Sequence, residues 1–83
     1  MSLVTTTVLR MACALWLCDP AHGLTPAQLA WLTARLANPD WRPTVRERAL
    51  LKTPLLAWCA ARQPGSLAII AQQFEEGDAH VCE

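Results

Sequence analysis

The sequence has little glycine, no tyrosine and no motif of the kind that organises a catalytic centre. Three of its 83 residues are glycine, and it contains neither a Gly-rich phosphate loop nor a His-Glu-x-x-His zinc motif. The two serines, Ser2 and Ser66, are expected at helix starts, and neither belongs to a nucleophile elbow. Glu75 and Glu76 are adjacent, so their carboxylates diverge on a helix and cannot work as an acid and base pair. We therefore expect a protein that is not an enzyme and holds no cofactor.

Charged residues are scarce and balanced. Seven Lys and Arg residues offset seven Asp and Glu residues, which gives a formal net charge of zero. Such a chain has no general attraction for nucleic acid or for an anionic membrane surface. After Arg62 the formally charged residues are all acidic: Glu75, Glu76, Asp78 and Glu83. We expect a single helical domain over residues 1–77, followed by an acidic tail, residues 78–83, that is free to move.

No hydrophobic run fits a membrane-spanning or secretory segment. Residues 3–18 are apolar, but Arg10 lies among them and Asp19-Pro20 ends the run, whereas a spanning helix needs about 20 residues. A signal peptide would place its positive charge before the apolar run and end it with small residues, which this segment does not do. We expect a cytoplasmic protein without a membrane partner, and therefore reduced cysteines.

The four cysteines and two histidines raise the question of disulfide or metal chemistry. Cys13 and Cys18 stand five residues apart on one expected helix, which separates their Cα atoms by about 8 Å and is too far for a disulfide. A zinc site would have to use scattered ligands: Cys18, His22, His80, Cys82 and the additional candidate Cys59. No pair among them has the Cys-x-x-Cys spacing of strong zinc motifs. We expect no bound metal, and a small zinc protein is the third-ranked alternative.

Prolines, glycines and helix caps divide the chain into short helices. The first is expected over about residues 2–17 and is apolar on every side apart from Arg10. Thr25 and Gln28 have the spacing of a capping box around a proline at the first helical position, which predicts a second helix that ends near Ala37.

A second capping box is formed by Thr44 and Glu47, and it opens a third helix. We expect Pro54 to kink or break this helix, because proline removes a backbone hydrogen bond and crowds the preceding turn. The last helix is expected over about residues 67–76, with Gly77 as its stop. The pattern as a whole predicts an all-α fold, a compact bundle of four to five short helices.

Four tryptophans are several times more than usual for a chain of this length. Trp16 and Trp58 fall on apolar helix faces and are expected in the core. Trp and Arg in partly apolar patches are typical of binding hot spots, and the residues that fit this description are Trp31, Arg35, Trp41, Arg42 and Ile69. The competing interpretation is that Trp31 and Trp41 pack against each other or against other helices.

These observations favour a small helical protein that acts by binding another protein, with a homodimer left open. Adaptors and small inhibitors of host complexes made by phages or mobile elements, anti-CRISPR proteins among them, are common classes for such chains, and no residue distinguishes among them. The alternative is a helix-turn-helix-like DNA-binding regulator that uses Arg46, Arg48 and Lys52. Arg46 and Arg48 fall on nearly opposite sides of a helix, which counts against nucleic acid as the partner.

Overall fold

In the computed structural model, the chain forms four α-helices, and the described residues contain no strand. The backbone is described for residues 3–81 and the side chains for residues 5–75. The helices are α1 (Leu3–Cys18), α2 (Pro26–Ala37), α3 (Val45–Arg62) and α4 (Leu67–Val81), and a turn of 3-10 helix at Pro64–Ser66 joins α3 to α4. The prediction of an all-α bundle is confirmed.

Both predicted capping boxes are present. The Thr25 hydroxyl accepts a hydrogen bond from the Gln28 backbone N–H at 3.1 Å, and the Gln28 side chain accepts one from the Thr25 N–H at 2.9 Å. Thr44 and Glu47 make the same reciprocal pair at 3.2 and 2.9 Å. Because each box satisfies two backbone N–H groups that a helix start leaves unpaired, α2 and α3 begin where the sequence places them.

The predicted break at Pro54 and the predicted stop at Gly77 are wrong. Pro54 does not break α3, which continues through it to Arg62, and a kink at this position stays a prediction. The lost hydrogen bond is offset because Leu51, Leu55 and Trp58, on both sides of the proline, are buried along one continuous face. Gly77 does not stop α4, which continues to Val81, because glycine inside a helix costs only about 1 kcal/mol. The mobility of residues 78–83 stays a prediction.

The hydrophobic core forms around Trp16, whose side chain is fully buried. Its buried apolar members are Leu9, Ala12, Cys13, Trp16, Leu32, Trp41, Leu51, Leu55, Trp58, Cys59, Ile70 and Phe74. The burial of Trp16 and Trp58 confirms the prediction for these two tryptophans. The first helix, apolar on every side, buries only its inner face: its outward side chains Met11 and Leu15 are exposed.

α1 is the helix against which the others assemble. It packs against α2, α3 and α4, whereas α2 packs against α1 alone. Within the described backbone no Cα atom of α2 comes within 8 Å of a Cα atom of α3 or α4. The position of α2 therefore depends on its contacts with α1 and on side chains that bridge the gap to α3.

Arg10, the only charged residue of α1, holds the end of α2. Its Nη1 donates to the carbonyl oxygens of Asn38 at 3.1 Å and Trp41 at 2.9 Å, and its Nη2 donates to that of Leu36 at 3.1 Å. The guanidinium carbon also lies 5.9 Å from the centre of a Trp41 ring. Since the last carbonyls of a helix have no partner within the helix, one planar fork of donors both caps α2 and fixes the following loop.

A second polar cluster joins the ends of α1 and α3. Asp19 accepts hydrogen bonds from the Ala21 backbone N–H at 2.9 Å and from the Trp58 indole at 2.8 Å, and its Oδ2 lies 2.8 Å from Nε of Arg62. The Ala21 N–H, followed by the bonds from Trp58 and Arg62, lowers the pKa of the Asp19 carboxyl to about 2. These contacts stabilise the ionised carboxylate.

Replacement of Arg10 by Met should lower the free energy of unfolding by about 2 kcal/mol, because three carbonyls lose a charged donor. Urea denaturation followed by circular dichroism measures this loss. The matched control is Arg42→Met, the same change at an exposed arginine, which should stay within about 0.5 kcal/mol of the wild type. Equal stabilities of the two variants would contradict the assigned role of Arg10.

The stabilising effect of Asp19 should depend on pH. Its pKa is about 2 in the folded state against an ordinary value of 3.8, so the unfolded chain takes up the proton first as the pH falls. The contribution is therefore complete above about pH 4 and is lost as the pH falls toward 2. Melting temperatures of the wild type and Asp19→Asn should differ at pH 6 and converge near pH 2. A difference that is constant with pH would contradict this account.

Candidate protein-binding groove

An apolar groove lies between α2 and α3, where the two helices do not pack directly against each other. We call it the α2–α3 groove, and its lining residues are Trp16, Leu24, Ala27, Gln28, Trp31, Leu32, Leu50, Leu51 and Pro54. The buried side chains of Trp16, Leu32 and Leu51 form its floor. Its volume is about 370 Å³. Leu50, on the α3 side, is 71% exposed, so the groove is open to solvent along that wall.

A cluster of aromatic and charged side chains closes one end of this groove. The Trp31 and Trp41 rings meet edge to face, with centroids 6.2 Å apart and planes at 86°. The Arg35 guanidinium carbon lies 5.4 Å from the centre of the Trp31 ring, and Arg35 Nε lies 3.4 Å from Oε2 of Glu47. The aromatic pair and the contact of Arg35 with the Trp31 ring are of kinds that stabilise folded proteins modestly at partly exposed sites. Together they connect the end of α2 to the start of α3.

Glu47 is the acceptor at the centre of this cluster. Besides capping α3, it accepts a hydrogen bond from the Trp41 indole at 3.3 Å. Burial acts to raise the pKa of the Glu47 carboxyl, but the hydrogen bonds from Thr44 and Trp41 and the nearby Arg35 outweigh it and hold this pKa below its ordinary value. The carboxylate is thus ionised at neutral pH and fully engaged within the chain.

The structure brings together three of the five residues proposed from sequence as partner contacts. Trp31 lines the groove, Arg35 lies over the Trp31 ring, and Trp41 packs against Trp31. Trp41 is only 8% exposed, which leaves little of its ring for a partner. Arg42 lines a separate small cleft beside Arg10, and Ile69 is exposed on α4. These last two do not belong to the groove.

Sequence reasoning missed the α3 side of the groove. The sequence pattern at Pro54 predicts a kink or a break of the helix, and Leu50 is not among the predicted contact residues. Leu50, Pro54 and Ala57 follow one another at intervals of three to four residues, with no charge on that face from residue 50 to residue 61. An uncharged outward face over three helical turns was the available signal.

The basic residues of the DNA-binding alternative do not form one surface. Arg46 is exposed and Lys52 is half-buried. Arg48 is 5% exposed, and its Nε and Nη1 atoms are buried without a hydrogen-bond partner among the described residues. The helix turns Arg48 inward with Leu51 and Leu55, so its guanidinium offers little surface to a phosphate, and a role of Arg48 in nucleic-acid binding stays a prediction.

Replacement of Arg48 by Met should raise the free energy of unfolding by about 1 kcal/mol, because a buried charge with unpaired donors is removed and the apolar stem is kept. Thermal and urea denaturation would measure this gain. Arg46→Met, the same change at an exposed site on the same helix, serves as the control and should be nearly neutral. A loss of more than about 1 kcal/mol at Arg48 would instead mean that its guanidinium has a stabilising partner.

The described part of the chain contains no cluster of metal ligands, and two of its three thiols are buried. No three His, Cys, Asp or Glu side chains converge there as metal ligands, and Cys13, Cys18 and Cys59 are free thiols. Burial, opposed by nearby Arg10, raises the pKa of the Cys13 thiol to about 12, and burial also raises the pKa of Cys59. Both thiols are therefore poor nucleophiles. His80 and Cys82, two of the proposed zinc ligands, lie outside the described side chains.

None of the helices in the described part of the chain combines the length and the apolarity that crossing a membrane requires. Comparison with protein-family models, with curated proteins and with solved structures finds no match for this chain. The geometry of the groove is thus the basis for a functional proposal.

Proposed function

We propose that the protein acts by binding another protein through the α2–α3 groove and does not catalyse a reaction. The observation that supports this proposal is the open apolar wall formed by Leu50 and Pro54 opposite Trp31. Uncovered apolar surface of this kind, next to polar residues, marks interaction sites on small proteins. Trp31 and Arg35 add the residue types that contribute most to binding energy at protein interfaces.

The chemistry of the groove favours a protein over a small metabolite. Small-molecule sites add a few convergent polar groups to a mostly apolar pocket. Here Gln28 is the only polar residue among the lining side chains, and none of them is titratable. Such a surface can recognise the shape of apolar side chains but offers neither an acid and base pair nor a nucleophile.

An adaptor or a small inhibitor of a larger complex, acting in the cytoplasm, would use such a groove directly. Its own core would supply the rigid floor, and its partner would cover the exposed wall. Identification of the bound protein would decide between these two roles.

The test is affinity capture from a lysate of the encoding organism, with and without nuclease, using the tagged wild type and two matched variants. Leu50→Asp places a charge on the groove wall, and Ile69→Asp places one on the exposed face of α4. One stoichiometric protein should be captured in both nuclease conditions by the wild type and Ile69→Asp, and Leu50→Asp should bind it at least fivefold more weakly, which corresponds to about 1 kcal/mol.

Three outcomes would contradict the proposal. Loss of the partner with Ile69→Asp, but not with Leu50→Asp, would place the binding surface on α4. Capture that disappears after nuclease treatment would favour the DNA-binding alternative. Capture of the organism's own untagged copy of the chain, and of no other protein, would indicate self-assembly. Circular dichroism of both variants establishes that each remains folded.

A further inference from the structure

We infer that the α2–α3 groove accepts an amphipathic helix of the partner, with an acidic residue at the end where Arg35 and Arg46 lie. This inference rests on the proposed function and adds the shape and charge of what binds. Three properties of the groove carry it: its width, its length and the distribution of charge around it.

The gap between α2 and α3 is open to the side chains of a helix. α2 and α3 have no Cα atoms within 8 Å of each other in the described backbone, although packed helices have axes only 8–10 Å apart. α1 forms the floor between them through Trp16. Two helices that pack against a third but not against each other leave a gap above it, and apolar side chains of a partner helix would enter that gap. Binding an amphipathic helix in an apolar groove is a common form of peptide recognition.

The length fits about three helical turns. On the α2 side the lining runs from Leu24 to Trp31, and Arg35 extends it by one further turn. From Pro26, where α2 begins, to Arg35 the helical rise of 1.5 Å per residue gives about 14 Å. A partner helix of that length presents apolar side chains at positions i, i+4 and i+7 to the floor. The side chains of Leu50 and Trp31 would then cover its flanks.

The charge at one end is positive. Arg46 is exposed one helical turn before Leu50 on the same face of α3. Arg35 keeps 48% of its side chain exposed, whereas its partner Glu47 is only 15% exposed and already accepts hydrogen bonds from the Thr44 N–H and the Trp41 indole. At the opposite end Asp19 and Arg62 neutralise each other. A carboxylate on the bound helix would therefore find two guanidinium groups at the Arg35 end, and bidentate pairing with either is geometrically suited to arginine.

A displayed library of random peptides, long enough for about four helical turns, tests this inference. Selection uses the full-length wild-type chain, with removal of peptides that also bind Leu50→Asp. The expected peptides carry apolar residues at helical spacing and Asp or Glu toward one end. Peptides that need Leu50 but show strand-like spacing or no acidic residue would overturn this inference while leaving the proposed function intact. Absence of any Leu50-dependent peptide would contradict both.

The strongest selected peptide, made synthetically, then tests the charge by isothermal titration calorimetry. Arg46→Glu should weaken its binding about tenfold, and replacement of the peptide's acidic residue by Lys should restore affinity for that variant. Arg42→Glu is the matched control, since it makes the same charge change just before α3 but away from the groove, and it should alter the affinity by no more than about twofold. Equal effects at Arg42 and Arg46 would overturn the assignment.

Analytical ultracentrifugation of the wild type distinguishes a partner helix from a second copy of this chain as the molecule bound in the groove. Dimers that Leu50→Asp abolishes would show that a second copy of this chain covers the groove, which would overturn the inference of a partner helix. A monomer that binds the peptide with one-to-one stoichiometry supports it.

Discussion

One guanidinium group fixes the end of α2. α2 packs against α1 alone, and Arg10 of α1 holds the carbonyls of Leu36, Asn38 and Trp41 where α2 ends. With this end held, Trp41 reaches Trp31 edge to face. Arg35 and Glu47 join α2 and α3 near this end, whereas no Cα atoms of the two helices lie within 8 Å of each other in the described backbone. The α2–α3 groove lies in the gap between them.

Local signals in the sequence predicted local structure well. The two capping boxes at Thr25 and Thr44 each depend on residues three positions apart, so the local sequence alone determines them. The burial of Trp16 and Trp58 follows from apolar faces that repeat with the helical period. The all-α class is the sum of such local preferences.

The predictions that failed concern features that depend on contacts between residues distant in the sequence. Pro54 stays inside α3 because the buried face on both sides of it is stabilised by α1 and α4, which no local rule contains. Arg48 shares its face with Leu51 and Leu55, and that spacing is visible in the sequence, but its charge suggested exposure. Of the candidate site, Trp31 and Arg35 were predicted. The wall formed by Leu50 was not, because its importance lies in the absence of a neighbouring helix.

The distribution of the four tryptophans gives the molecule a natural optical label. The chain has no tyrosine, and Trp16, Trp41 and Trp58 are buried in the core. Trp31 is the half-buried one, and its indole lines the α2–α3 groove beside the Arg35 cation. Among the four emitting indoles, its surroundings are the ones that a molecule seated in the groove changes most. Fluorescence of the unmodified chain therefore reports on the groove without an attached dye.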